Sequence, residues 1–234
     1  MQIAGFQKLS LVDFPHITSS TIFTQGCNFR CPFCHNANIA FSLFSYKNNL
    51  MEEKEVLDFL KKRSNLLDGV CITGGEPTLQ KDLEEFIIKI KNSTNLKIKL
   101  DTNGTNPKIL LGLLEKGLLD YVAMDVKGDF ETYPRAVGIN KTKIDIDSIK
   151  GSIEILKNCK TDYEFRTTVF NPLHTASVIK NMAEMLLGSR LWRLQEFKQS
   201  AFVPDDSLFS IPKANLELII ANISKKPENI VIYS

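Results

Sequence analysis

The chain has 234 residues, 24% charged and 43% hydrophobic, with a formal net charge of +2, so it can bury a substantial core and is expected to form one domain over residues 1–234. Basic and acidic residues nearly balance, which gives no general case for binding nucleic acid or an anionic membrane, and the longest apolar runs fall far short of the ~18 residues a spanning helix needs. No basic stretch followed by an apolar one opens the sequence, so a cytoplasmic protein is expected; five cysteines, three of them clustered, suit metal or redox chemistry in a reducing compartment better than a disulfide framework.

In chain order, an apolar strand is expected at 20–24, followed by the loop Gly26-Cys27-Asn28-Phe29-Arg30-Cys31-Pro32-Phe33-Cys34-His35-Asn36. A helix at 52–63 places Val56, Leu57, Phe59 and Leu60 on one face. A strand at 69–73 runs into Gly74-Gly75-Glu76-Pro77, and a helix at 82–91 carries Leu83, Phe86, Ile87 and Ile90 at helical spacing. The strand at 97–101 ends in Asp101-Thr102-Asn103-Gly104; Pro107 suits the first turn of the next helix and Gly117 its end. A strand at 121–125 leads into Met124-Asp125-Val126-Lys127. Then come a helix at 146–158, a strand at 163–169 containing Arg166, a helix at 175–187, a strand at 192–197, a helix at 213–224 and a short last strand at 229–233. Strands alternating with helices imply βαβ units and a parallel sheet. The units are two short of a full (β/α)8 barrel, so the expected fold is α/β, a partial, open (β/α)6 TIM-type barrel. No internal repeat or linker is apparent.

The motif residues all follow strands or sit at their ends, and in α/β barrels the carboxyl ends of the strands form the active-site face. Cys27, Cys31 and Cys34 have the spacing Cys-x3-Cys-x2-Cys. Clustered thiolates select an iron–sulfur cluster or zinc. Three thiolates leave one iron of a 4Fe–4S cubane open to a substrate, whereas structural zinc takes two ligand pairs and no second pair exists here. Gly74 and Gly75 allow a tight turn and close main-chain approach to a ligand, although most such pairs are only turns. Asp101 and Asp125 end adjacent strands; they are either helix caps or two carboxylates in one site, where repulsion demands a cation or Lys127. Arg166, amid apolar strand residues, needs a partner: a structural carboxylate, a cofactor or a target peptide. Cys71 and Cys159 read as small buried hydrophobes. His16 and His174 carry no signal.

The cysteine loop, with aromatic Phe33 before the third cysteine, resembles that of the radical S-adenosylmethionine (SAM) superfamily. Leu11-Val12-Asp13-Phe14-Pro15 and Thr21-Ile22-Phe23-Thr24-Gln25-Gly26-Cys27 resemble the activating proteins of anaerobic ribonucleoside-triphosphate reductase. Gly74–Pro77, Asp101–Gly104 and Met124–Lys127 are similar to motifs of glycyl-radical-enzyme activases generally, pyruvate formate-lyase activating enzyme included. The likeness runs from about residue 11 to 198. It implies that Cys27, Cys31 and Cys34 hold a 4Fe–4S cluster. It implies that Phe33, Gly74, Gly75, Glu76, Asp101, Asn103, Asp125, Lys127 and Arg166 line the SAM pocket. A monovalent cation near Asp101 and Asp125 is implied as well. His35 and Asn36 recur in the family and would position the cluster region. The implied activity is reductive cleavage of SAM, fed by a low-potential donor such as flavodoxin or ferredoxin, and abstraction of a glycine hydrogen from a partner, first among them anaerobic ribonucleotide reductase. The alternatives are a radical SAM enzyme acting on a small molecule, peptide or tRNA-modification precursor, as 7-carboxy-7-deazaguanine synthase does, and a zinc-stabilised binding module. Two departures stand out: Pro15-His16 replaces the family's frequent Pro-Gly, and Lys198 stands near a histidine that contacts SAM in formate-lyase activases.

Overall fold

The structure is a computed structural model that describes residues 1–41 and 50–233. Its strands are β1 (Ile3–Ser10), β2 (Ser19–Thr24), β3 (Gly69–Gly74), β4 (Lys97–Thr102), β5 (Tyr121–Asp125), β6 (Asp162–Asn171), β7 (Leu191–Glu196), β8 (Phe209–Ser210) and β9 (Asn229–Tyr233). Its helices are α1 (Ala37–Ala40), α2 (Glu53–Arg63), α3 (Leu83–Ser93), α4 (Pro107–Glu115), α5 (Tyr133–Ala136), α6 (Ile146–Asn158), α7 (Ala176–Met185) and α8 (Lys213–Ala221). The sheet order is β1-β2-β3-β4-β5-β6-β7-β9. Along that order every pairing from β2 to β9 is parallel and β1 runs antiparallel to β2; off it, the two-residue β8 pairs antiparallel with the end of β6. β1 and β9 remain edges, so the sheet stays open as expected. The antiparallel β1 was not anticipated, and the short strand at 229–233 is a true parallel edge strand.

Local chemistry explains the helix ends. Pro107 starts α4, and Gly117 just beyond its end takes φ +63°, as a left-handed C-terminal cap requires. Asp145 and Thr175 cap α6 and α7 by accepting from Ser148 N–H at 3.1 Å and Val178 N–H at 3.3 Å. The strands alternate in a consistent way. Ile98 and Leu100, Val122 and Met124, Phe165, and Trp192 and Leu194 join one apolar core with helix residues such as Phe86, Ile90, Leu113, Ile153 and Met182. The positions between them carry polar groups: Lys99, Glu164, Arg166, Thr168, Arg193 and Gln195 line a cavity of about 820 Å³ inside the curved sheet. A full barrel fills that space with branched apolar side chains; here it is left polar and open. Register brings the motifs level, with Thr24 opposite Gly74, Thr102 opposite Met124 and Asp125 opposite Arg166. Among the described residues no helix is long and apolar enough to cross a membrane.

Candidate active site

The cysteine loop leaves β2 and is fixed by main-chain contacts. Gly26 N–H donates to Ile39 C=O at 3.1 Å and Arg30 N–H to Val137 C=O at 2.8 Å. The Arg30 guanidinium donates to the loop's own carbonyls, those of Cys27 and Phe29, at 2.7 Å each. Burial pushes the Cys27 thiol up to about 11 and Cys31 up to about 12, and raises Cys34 as well; the charges of Cys27 and Cys34 add to the effect at Cys31. The thiols thus feel one another. A cubane places each thiolate on a different iron, whereas zinc needs all its donors within bonding distance of one point. Three soft thiolates from one loop are the donor count that a 4Fe–4S cluster with one open iron takes.

β3 meets this loop edge-on. Gly74 has φ +110°, and a Cβ there would lie 2.4 Å from Thr24 N; a Cβ on Gly75 would lie 1.9 Å from Gly26 O. The glycine pair therefore admits the backbone of the cysteine loop, to which Glu76 N–H donates at 2.8 Å (Gly26 C=O). Asn36 closes the same corner by donating to Gly74 C=O at 3.2 Å. The Glu76 side chain is buried. Oε1 accepts from Thr78 N–H at 3.1 Å, Thr78 Oγ1 at 2.6 Å and Thr102 Oγ1 at 2.7 Å, and Oε2 from Asn103 N–H at 2.6 Å. Burial raises its carboxyl and these bonds pull the other way. Glu76 is thus a strut tying β3 to the end of β4. Asn103 extends the tie, donating through Nδ2 to Asn28 Oδ1 at 2.9 Å, inside the cysteine loop.

The two aspartates form one charge cluster, and the cap reading fails for both. Asp101 Oδ1 pairs with Lys99 Nζ and Oδ2 with Arg166 Nη1 at 3.0 Å; Asp125 Oδ1 pairs with Arg166 Nε at 2.9 Å and Oδ2 with Lys127 Nζ at 3.2 Å. Burial works against ionising Asp125, but Arg166 and Lys127 outweigh it and hold the carboxyl down at about 2. Asp101 is lowered on the same pattern, against its burial, by Arg166 and Lys99. Lys127 Nζ also lies 5.5 Å from the centre of the Phe33 ring, a cation–π contact linking the cluster to the cysteine loop. Phe33 packs on Phe170 with ring centres 4.8 Å apart, and His35 Nδ1 lies 3.4 Å from Ser200 Oγ. Burial lowers the His35 imidazole.

Several participants were not anticipated. Lys99 had a readable signal, since it lies two residues before Asp101 and so shares its face of the strand. Asn28 and Thr78 act through side-chain bonds that no spacing predicts. His174, which carried no signal, is buried: Nδ1 accepts from Phe170 N–H at 3.2 Å and Nε2 donates to Lys127 C=O at 3.2 Å. Cys71 is buried and Cys159 half-buried; the latter's thiol donates to Thr161 C=O at 3.3 Å. The Pro15-His16 departure keeps the turn, with His16 at φ +64° where glycine is favoured. Lys198 lines the large cavity with His35 and Arg166. Cys27 faces a second hollow of about 530 Å³ with Asn28, Arg30 and Lys143.

Residues 21–185 match the family model of the radical SAM superfamily. A protein of Methanocaldococcus jannaschii described as "Putative glycyl-radical enzyme activating enzyme" is 34% identical over 98% of this chain and 95% of its own length. A protein of Thermococcus kodakarensis described as "Probable GTP 3',8-cyclase" is 32% identical over 58% of this chain, which spans only 44% of that relative. Among solved structures, a radical SAM methyltransferase from Sphaerobacter thermophilus superposes with a TM-score of 0.70 at 14% identity, over 96% of this chain and 68% of that one. Streptococcus suis SuiB bound to S-adenosylmethionine gives 0.65 at 15% identity, over 90% of this chain and 48% of that one. At these identities the two structures speak to fold alone.

Proposed function

This chain belongs to the radical SAM superfamily, and from that premise we propose that it is an activase that installs a glycyl radical on a partner enzyme, anaerobic ribonucleoside-triphosphate reductase being the first candidate. Membership implies a 4Fe–4S cluster and SAM as cofactors. Cys27, Cys31 and Cys34 would hold the cluster. When bound, cluster and SAM supply one-electron cleavage of the sulfonium, giving methionine and a 5′-deoxyadenosyl radical that takes a hydrogen atom from the substrate. The chain's own residues do the positioning. Lys127 would offer its ammonium to SAM's carboxylate, and Gly74, Gly75 and Asn103 would line the methionine end, with Glu76 bracing them through its bonds to Thr102 and Asn103. Phe33 would cover the cluster side, while Asp125 holds Lys127 and is itself tied to Asp101 through Arg166. The electron comes from a low-potential donor of flavodoxin or ferredoxin type.

The observation that supports the activase reading over others is the end-to-end likeness to the Methanocaldococcus protein, with nearly all of both chains aligned. A second reading has its own support. The cavity beside Arg166 is lined by Glu164, Arg193, Gln195 and Lys198, a polar set that suits a small heterocyclic substrate of the deazaguanine-synthase kind. Anaerobic EPR tests the activase reading and its first partner. The reconstituted, reduced protein is mixed with SAM and the reductase of the same organism. A glycyl-radical doublet, absent with Cys31→Ala, is the expected result. Methionine and 5′-deoxyadenosine accumulating without a doublet would keep the radical chemistry and remove this partner.

A further inference from the structure

Two carboxylates facing one another at the ends of adjacent strands need a neutralising charge, and the family likeness supplies a bound monovalent cation for that purpose. The residues of this chain do not fit that ion. All four carboxylate oxygens of Asp101 and Asp125 already face a cationic nitrogen: Lys99 and Arg166 on Asp101, Arg166 and Lys127 on Asp125. Lys99 is the decisive member. It is only 1% exposed, it also lies 3.6 Å from Cys71 Sγ, and its ammonium sits on the Asp101 oxygen that an inorganic cation would need. Burying a lysine is costly unless it is paired, so this ammonium is held there by Asp101.

The charge balance points the same way. Lys99, Arg166 and Lys127 face Asp101 and Asp125, leaving one net positive charge. On the reading of this site as a SAM pocket, on which this inference rests, that surplus matches the single carboxylate of the methionine end. A bound Na⁺ or K⁺ would double the surplus and would have to displace Lys99 from its oxygen. We propose that Lys99 occupies the place of the monovalent cation, so that this protein binds SAM without Na⁺ or K⁺.

The test compares NaCl, KCl and choline chloride at equal ionic strength. It uses the cluster-loaded protein and reads SAM affinity by anaerobic equilibrium dialysis and the midpoint of thermal unfolding without SAM. Wild type is expected to show the same affinity in all three salts, within about twofold, and the same midpoint. Lys99→Met, which removes one charge beside Asp101, is expected to lose about tenfold in affinity in choline and to regain it in Na⁺ or K⁺. Its midpoint should rise with either ion. A wild-type affinity or midpoint that rises on exchanging choline for Na⁺ or K⁺ would overturn the proposal, and so would a Lys99→Met protein blind to the cation. If Lys99→Met does not fold, Lys99→Gln enters the same assay, and the wild-type comparison decides by itself. If wild type binds no SAM in any salt, the proposed function fails. The thermal comparison then still reads whether the carboxylate pair takes a cation.

Discussion

Arg166 is the residue on which the charge cluster turns, because one guanidinium holds a carboxylate from each of two neighbouring strands. Its planar fork can do this and a lysine's point charge cannot. Arg166→Ala should therefore cost about 1–3 kcal/mol of stability, since it leaves one oxygen of each carboxylate without its partner while Lys99 and Lys127 keep the other, and Arg166→Lys should recover only part of that in urea denaturation. His174 makes a prediction of opposite chemical sense. Burial holds its imidazole down at about 4, below the usual 6.5. The unfolded chain therefore takes up the proton first, and the stabilising contribution, complete above pH 6.5, is lost as pH falls toward 4. At pH 5 this group alone should cost about 2 kcal/mol relative to pH 7, and His174→Gln should show a shallower loss over the same interval. His16 is a smaller case. It adopts φ +64° without being glycine, so His16→Gly should stabilise the protein by about 0.5–1 kcal/mol, read as a rise in the denaturation midpoint.

At the scale of elements, the join between β3 and the cysteine loop is the tightest in the site. A methyl group on Gly75 would press into the Gly26 carbonyl, and neither strand end can retreat, because Glu76 N–H and Gly75 N–H are both bonded across the join. Gly75→Ala should displace the loop, with reconstituted protein holding less than about half the wild-type iron, and should cost about 1–3 kcal/mol. This join also shows what could be read in advance. The strand–helix alternation, the α4 ends at Pro107 and Gly117 and the level placement of the motifs follow from local pattern, and the structure bears them out. β1 escaped because a strand pairing with its sequence neighbour leaves no crossover helix to announce it. The tie from Glu76 to Thr102 and Asn103 and that from His174 to Lys127 escaped because they are tertiary hydrogen bonds, which leave no period in the sequence. Lys99 lay in plain view in Lys97-Ile98-Lys99-Leu100-Asp101, but such alternation ordinarily marks a solvent face. Here the polar face turns inward.

For the molecule as a whole, the open sheet leaves the large cavity accessible beneath the β1–β2 connection, where Leu11 and Val12 are 73% and 86% exposed. On the activase reading, a protein substrate is expected to touch that rim, whereas a small molecule need not. If the partner is a protein, Val12→Asp should lower the yield of glycyl radical by about tenfold while leaving SAM cleavage without substrate within about twofold, since a charge is placed on an exposed apolar rim. Equal loss of both activities would assign Val12 to folding.

The alternation along β4 to β7 gives the chain two independent sets of residues on the same strands. Phe165, Trp192 and Leu194 belong to the packed layer, while Glu164, Arg193 and Gln195 belong to the cavity wall. Selection can rewrite the second set without withdrawing an apolar contact from the first. Glu164 and Arg193 pair with one another at 2.6 Å, so a randomised library at positions 164, 193 and 195 should retain folded, SAM-cleaving members chiefly where 164 and 193 change together, with 195 free to vary. The division of labour that lets one sheet serve unrelated substrates over evolutionary time is built into the pleat itself.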